Sequence, residues 1–353
     1  MASSIDLSKF AFSEEQIRDI NELVFDNIVK SPELSAIHTI FSGIVYDKEV
    51  GFLTGGGLVG VAARGCNPTS QDYTIGSRVV KWTPKRWEAR IEECYTDLEN
   101  TAAIYAMNKG VSSADLTDTD YMAIVVDFMT QSIKDFYYRV AWFGDTDAEN
   151  VGEGGQLTAG VDASYFNLID GFFKQMATAV TANPALGVSI AANAEASKKA
   201  QFDNFTPQNA YDTLAAMYFG APIDMRASGN MQFVVTQSVA DKYQQFLMGK
   251  GIESEYKNLV DGVPSLSFSG VPVVVLPIWD KMIQSYHDKG ATFYKPHRAV
   301  LVEKLNLGIG TGSTDALAKL NVWYDMTSRK NYVEAMDTID AKLLNASRFM
   351  LAQ

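Results

Sequence analysis

The sequence predicts an α+β fold, and three features carry that expectation. A helical stripe runs unbroken from about Asp118 to Phe143. A glycine-punctuated series of short β segments precedes it, from Gly51 to Trp87. The second half alternates capped helices with strands and closes on long strand-like runs. The chain has 353 residues, 47% of them hydrophobic and 20% charged, which is ample apolar surface for a folded core. No internal repeat or low-complexity linker divides it, so its units are expected to interleave, with strands from the end of the chain returning to the early helix.

Each element has a local reason. Ser13-Glu14-Glu15-Gln16 has capping-box spacing, and Ile17, Ile20, Val24 and Ile28 recur at helical intervals until Ser31-Pro32, which predicts an amphipathic N-terminal helix. From Gly51 to Trp87, glycines at 51, 55, 56, 57, 60, 65 and 76 interrupt runs such as Arg78-Val79-Val80-Lys81-Trp82, the texture of an extended β excursion. Lys81, Lys85, Arg86 and Arg90 make this stretch basic. Thr117 and Asp120 cap the long helix, whose apolar face includes Met122, Val126, Met129, Ile133, Phe136, Tyr137 and Val140. A Gly/Asp-rich loop (145–160) and a helix from Ser164 to Thr181 follow. Thr206-Pro207 opens a helix that Gly220 closes, with threonine as cap and proline at the first turn. Met231–Thr236 reads as a buried strand and Ser238–Met248 as a helix. Leu266–Ile278 reads as strand, bend at Ser269-Gly270 and strand, with Pro272 and Pro277 marking an edge or strand ends. A short helix from Asp280, strands at Ala299–Glu303 and Leu305–Ile309, and long strands between Lys319 and Leu344 complete the pattern.

Charge and chemistry exclude more than they select. Thirty Lys and Arg stand against 42 Asp and Glu, a net charge of −12, which argues against a dedicated nucleic-acid binder. Met1–Phe12 lacks the basic start and apolar run of a signal peptide, and no stretch reaches the ~18 apolar residues of a membrane helix, so cytosolic folding is expected. Gly55-Gly56-Gly57-Leu58-Val59-Gly60 spells a dinucleotide fingerprint, but Arg64-Gly65-Cys66-Asn67-Pro68 breaks the chain where a helix must follow. Gly308, Gly310 and Gly312 lack the Lys-Ser/Thr ending of a phosphate loop. Asp145, Asp147 and Glu149 imitate a calcium loop, yet Asn150 and Gln156 occupy the positions that need Gly and Glu. Cys66 and Cys94 have no second pair, and His38, His287 and His297 show no metal-ligand spacing; the last two read as surface or hydrogen-bonding residues. No catalytic residue, cofactor or metal is expected.

Several runs, taken in order, resemble the major capsid proteins of tailed phages, the Hong Kong ninety-seven-type fold family shared with encapsulin shells and herpesvirus capsid floors. They are Ala141-Trp142-Phe143-Gly144-Asp145 after the long helix, Asn230–Thr236 with the Asp241-Lys242-Tyr243 helix, and Ser269-Gly270-Val271-Pro272-Val273-Val274. His297–Val302 and the closing Val322–Val333 and Ala341–Leu344 runs complete the set. The resemblance covers most of the chain and rests on order and spacing.

It implies an N-terminal arm (1–50), an extended β-loop (51–92), a peripheral domain with a spine helix (93–160 and 313–353) and an α/β axial domain (161–312). The implied function is a shell subunit forming the pentamers and hexamers of an icosahedral phage head around DNA, which it encloses without sequence-specific binding. Its partners would be copies of itself, with portal, scaffold and decoration proteins, and its place the virion after assembly in the host cytoplasm. An encapsulin-like compartment is the alternative within the family, and an α/β enzyme the alternative outside it. Assembly contacts are expected at Asp72, Tyr73, Arg78, Lys81, Trp82, Lys85, Arg86, Arg329, Lys330 and Asn331.

Overall fold

A computed structural model describes residues 37–56, 74–94, 132–250, 258–260, 263–312, 319–325 and 330–353. The expected N-terminal helix and the first part of the long helix lie outside them, as do Asp72, Tyr73 and Arg329.

Early strands are β1 (Thr39–Phe41), β2 (Lys48–Gly56), β3 (Thr74–Trp82) and β4 (Lys85–Cys94). The short β5 (Gly187–Val188) is followed by β6 (Met231–Val235), β7 (Asn258–Val260), β8 (Val263–Phe268), β9 (Val271–Val275), β10 (Ala299–Glu303), β11 (Leu307–Thr311), β12 (Lys319–Asp325), β13 (Lys330–Leu343) and β14 (Phe349–Ala352). They form two larger sheets and one free hairpin.

A seven-stranded sheet has the order β5-β14-β10-β6-β9-β8-β7. Its centre reads Met-Gln-Phe-Val-Val in β6, every residue buried, which is what a strand covered on both faces requires. Ser269 and Gly270 both have positive φ, the geometry that lets a two-residue turn join twisted β8 to β9. Helices Pro207–Gly220 and Gln237–Lys250 pack on each other and on this sheet. The first is capped as its sequence predicts: Thr206 Oγ1 accepts the Asn209 amide at 3.2 Å, with proline at the first turn. Pro277 also opens a helix (Pro277–Tyr286) instead of ending a strand, because its fixed φ suits a first turn.

The five-stranded sheet is organised by β13. One edge of β13 takes β12 along 330–336 and β11 along 339–343, while the other takes β4 along 330–339. β1 extends the sheet beyond β11. Strand β4 therefore belongs to this sheet, and the free hairpin is β2 with β3 alone.

The chain crosses between the sheets twice at one place. It leaves β10 for β11 through 304–306 and returns from β13 to β14 through 344–348. Asn306 ties the two crossings, donating to the carbonyls of Asn345 (2.9 Å) and Arg348 (2.8 Å), and Arg348 grips Glu303 at 3.1 and 3.2 Å. The sequence reading groups 307–312 with the axial unit and 349–352 with the peripheral one; strand pairing exchanges them.

The helix over 132–143 ends at Phe143 as predicted and joins the layers into one core. Its first half meets β4 and β13, where Phe136 lies 4.7 Å from Trp87 and the Tyr137 hydroxyl faces Asp337 at 3.5 Å. Its second half meets the other layer, with Trp142 4.6 Å from Trp279. The chain must turn sharply after it: a Cβ on Gly144 would sit 2.4 Å from the Val140 carbonyl oxygen and 2.5 Å from that of Ile169. The next helix spans Phe172–Ala182, eight residues later than the Ser164 start expected. Asp162 caps only one tight turn at Ala163–Tyr165, and the intervening residues bury Phe166 and Ile169 and carry Gly171 past Gly144.

Candidate assembly surface

The hairpin is the least supported element of the described chain. β2 and β3 pair from Lys48↔Trp82 to Gly56↔Thr74, and no other described strand pairs with either. An isolated two-stranded ribbon is marginal in water, so this one needs a surface to lie on. Alternate residues of β3 differ in exposure: Ser77, Val79 and Lys81 are exposed, while Gly76, Arg78 and Val80 are half-covered. The Arg78 guanidinium sits 5.4 Å above the Phe52 ring on the opposite strand.

Among the described residues, Trp82 anchors the base of the hairpin, with Val50, Phe52 and Val80 packed against the same cluster. The ring is wholly buried with Ile44 and Leu344 and lies 5.3 Å from Phe41. Its seat is β11, where Gly308 and Gly310 fall on one face because strand side chains alternate, with Gly312 just past the strand's end. A Cβ at Gly308 would meet the indole at 3.0 Å, one at Gly310 would meet it at 2.8 Å, and one at Gly312 would strike the Asp337 carboxylate at 2.1 Å. Gly308 and Gly310 are thus a flat seat for the ring, and Gly312 leaves room for Asp337. Trp82, expected from the sequence to be an assembly contact, has its side chain wholly buried within the subunit and acts as a core anchor. Beside it the Thr83 amide donates to Asp340 at 2.7 Å, and Lys342 lies 3.4 Å from that carboxylate.

Around the base are groups that a partner could reach. Lys85 and Arg86 are exposed on β4, Lys81 lies 3.6 Å from Asp47, and Tyr46 and Val79 expose 75% and 54% of their surface. Arg78 is half-covered by its own hairpin, and Lys330 and Asn331 place their backbones at the start of β13, opposite Asp325 and Tyr324. The structure thus brings Arg78, Lys81, Lys85 and Arg86 to one hairpin and its adjoining strand.

All three histidines are buried; of the two read as surface or hydrogen-bonding residues, His297 is hydrogen-bonded and His287 is neither. His38 accepts the Trp142 indole N–H at 3.0 Å. His297 bridges the Ser238 hydroxyl and the Gln201 carbonyl at 2.8 and 3.0 Å, and burial holds it down at about 4. His287 is pushed down to about 3 by burial and then by the charges of Arg298 and Lys289. Asp145 and Asp147, the start of the calcium-like spelling, instead grip Lys174 together with Asp170. Burial acts against the lysine's charge, but the hydrogen bonds it donates to Asp145 and Asp147 and the charges of Asp145 and Asp170 raise its pKa overall. Among the described residues no cluster of three His, Cys, Asp or Glu could hold a metal, and no helix is long and apolar enough to cross a membrane.

No family model matches the chain, and no curated protein matches it. Solved structures do. A chain of the satellite phage P4 procapsid including size determination (Sid) protein superposes with a TM-score of 0.53 at 11% identity, covering 94% of this chain and 98% of that one. A structure of Gordonia phage Cozz gives 0.46 at 12% identity over 91% and 85% of the two chains. The capsid of a native GTA particle gives 0.43 at 12% identity over 91% and 89%. The chain shares its fold with the procapsid chain, so the phage capsid fold implied by the sequence resemblance is the fold it has.

Proposed function

We propose that this chain is the major capsid protein of a tailed double-stranded DNA phage and that copies of it build the icosahedral head shell. The observation that carries the reading is the shared fold with a procapsid chain over nearly the full length of both. The free hairpin supports it. A ribbon that pairs with no other described strand, anchored at one end by Trp82 and flanked by Lys81, Lys85 and Arg86, suits a lattice in which each subunit lies over the next. The contact is heterologous, basic hairpin to acidic neighbour, and closes into pentamers and hexamers. A net charge of −12 also suits a container, because an acidic wall does not adsorb the DNA it encloses.

On this reading the chain is structural, with no catalytic centre. The finished protein resides in the virion after assembly in the host cytoplasm, with portal, scaffold and decoration proteins as further partners. Rate-zonal sedimentation of the full chain expressed alone and with candidate scaffold proteins tests it. Megadalton particles are expected in at least one condition, and material that stays at subunit size in all of them would reject the reading.

A further inference from the structure

A cleft of about 280 Å³ opens where the 132–143 helix, the Phe172–Ala182 helix and the 287–298 loop meet. Its lining holds Arg298 and Lys295, with which no described carboxylate pairs, and Lys174, which Asp145, Asp147 and Asp170 neutralise. Arg298 is buried, its guanidinium 4.5 Å from the Phe173 ring centre and 5.1 Å from that of Phe143. The guanidinium donates to the carbonyls of Lys295 (2.9 Å) and Tyr294 (3.1 Å), and no described carboxylate pairs with it. Lys295 and Lys289 flank the Tyr294 ring at 5.3 and 4.8 Å, likewise without a described carboxylate. Burial first, and then the charges of Arg298 and Lys289, push Lys295 down to about 8. His287 lines the same cleft, is 7% exposed, and has no hydrogen-bond partner at either ring nitrogen. A ligand accepting the imidazole N–H would give one of these two buried nitrogens the partner it lacks.

We propose that this cleft binds a carboxylate, presented by an acidic peptide segment of an adjacent copy of the chain. The adjacent copy as source rests on the shell reading above; the site itself does not. Size and surroundings favour a single inserted acidic side chain: the aromatic walls of Phe143, Phe173 and Tyr294 suit an aliphatic stem, and the Arg298, Lys295 and His287 donors suit its head. The other end of the cleft argues against nucleic acid. Asp145 lines it, with Asp147 and Asp170 on the same lysine. A duplex carries one charge per ~1.7 Å of axis and could not avoid these carboxylates.

The test titrates fluorescein-labelled hexaglutamate against the full-length chain at low salt, using Lys295→Gln, Lys295→Arg and, outside the cleft lining, Lys250→Gln. Lys295→Gln should weaken binding about tenfold with an unchanged melting temperature, and Lys295→Arg and Lys250→Gln should stay within about threefold of wild type. No binding by wild type, or equal binding by all four proteins, overturns the site. A short duplex DNA that displaces the peptide and depends equally on Lys295 overturns the carboxylate assignment. Sedimentation of the same variants tests the source: reduced particle yield for Lys295→Gln supports the adjacent copy, and wild-type yield from a variant that has lost the peptide rejects it. Lys295-dependent peptide binding by a wild-type chain that never forms particles would uphold the site and reject the shell.

Discussion

Trp82 decides whether the hairpin has a fixed root. Its ring is fully buried against a strand face kept bare by Gly308 and Gly310, so removing it leaves a cavity that backbone cannot fill. Trp82→Ala should cost about 3–5 kcal/mol in a denaturant titration. Gly310→Ala, which pushes a methyl into the indole, should cost about 1–3 kcal/mol. Tolerance of both would mean that the ring is not seated there. Asp337 makes a different prediction. It is 6% exposed beside Tyr137, and burial pushes its carboxyl up to about 6. An unfolded aspartate titrates near ~3.9. Between those values the folded chain keeps a proton that the unfolded chain has released, so this group's stabilising contribution is full below about pH 4 and lost as the pH rises through about 6. Burial of the charged form then costs roughly 3 kcal/mol at neutral pH. Asp337→Asn should therefore raise the melting temperature at pH 7.5, with the gain shrinking towards pH 4; a loss of stability at pH 7.5 would show that the carboxylate is well paired.

On the proposed shell reading, the hairpin is the element on which assembly turns. Lys81 is mostly exposed, and its pairing with Asp47 at 3.6 Å is of the surface kind, worth at most about 1 kcal/mol. Lys85 and Arg86 are exposed. Replacing all three by Glu should leave the melting temperature of the subunit nearly unchanged while lowering particle yield several-fold. Raising salt should weaken wild-type particles as the Debye length falls below ~8–10 Å. Unchanged yield in the triple variant would remove the electrostatic role. Elements such as these differ in how plainly the sequence shows them. The Thr206-Pro207 helix and the Ala299–Glu303 strand are readable because caps, proline and periodicity are local signals. The Ser164 start misleads because the apolar residues Phe166 and Ile169 mimic a helical stripe while packing in an irregular segment. The alternating glycines of β11 are a visible pattern, but their meaning depends on Trp82, more than 200 positions away.

At the scale of the whole molecule, the order of elements is legible and their partnership is not. Alternation predicts strands near 307 and in the tail, yet nothing local says that β11 pairs with β13 while β14 returns to β10. Nor does spacing reveal that three scattered histidines are all buried. The assembly surface is half legible: basic residues near the hairpin are countable, whereas the burial of Trp82 and the basic cleft around Arg298 appear only once distant segments meet. The central claim is that copies of this chain close into a shell with the hairpin lying across a neighbour. Electron cryomicroscopy of particles formed by the full chain tests it directly. Closed particles with fivefold and sixfold clusters of subunits, each β2–β3 hairpin resting on the adjacent subunit, are the predicted result. Discrete small oligomers, or shells in which the hairpin touches only its own subunit, would contradict it.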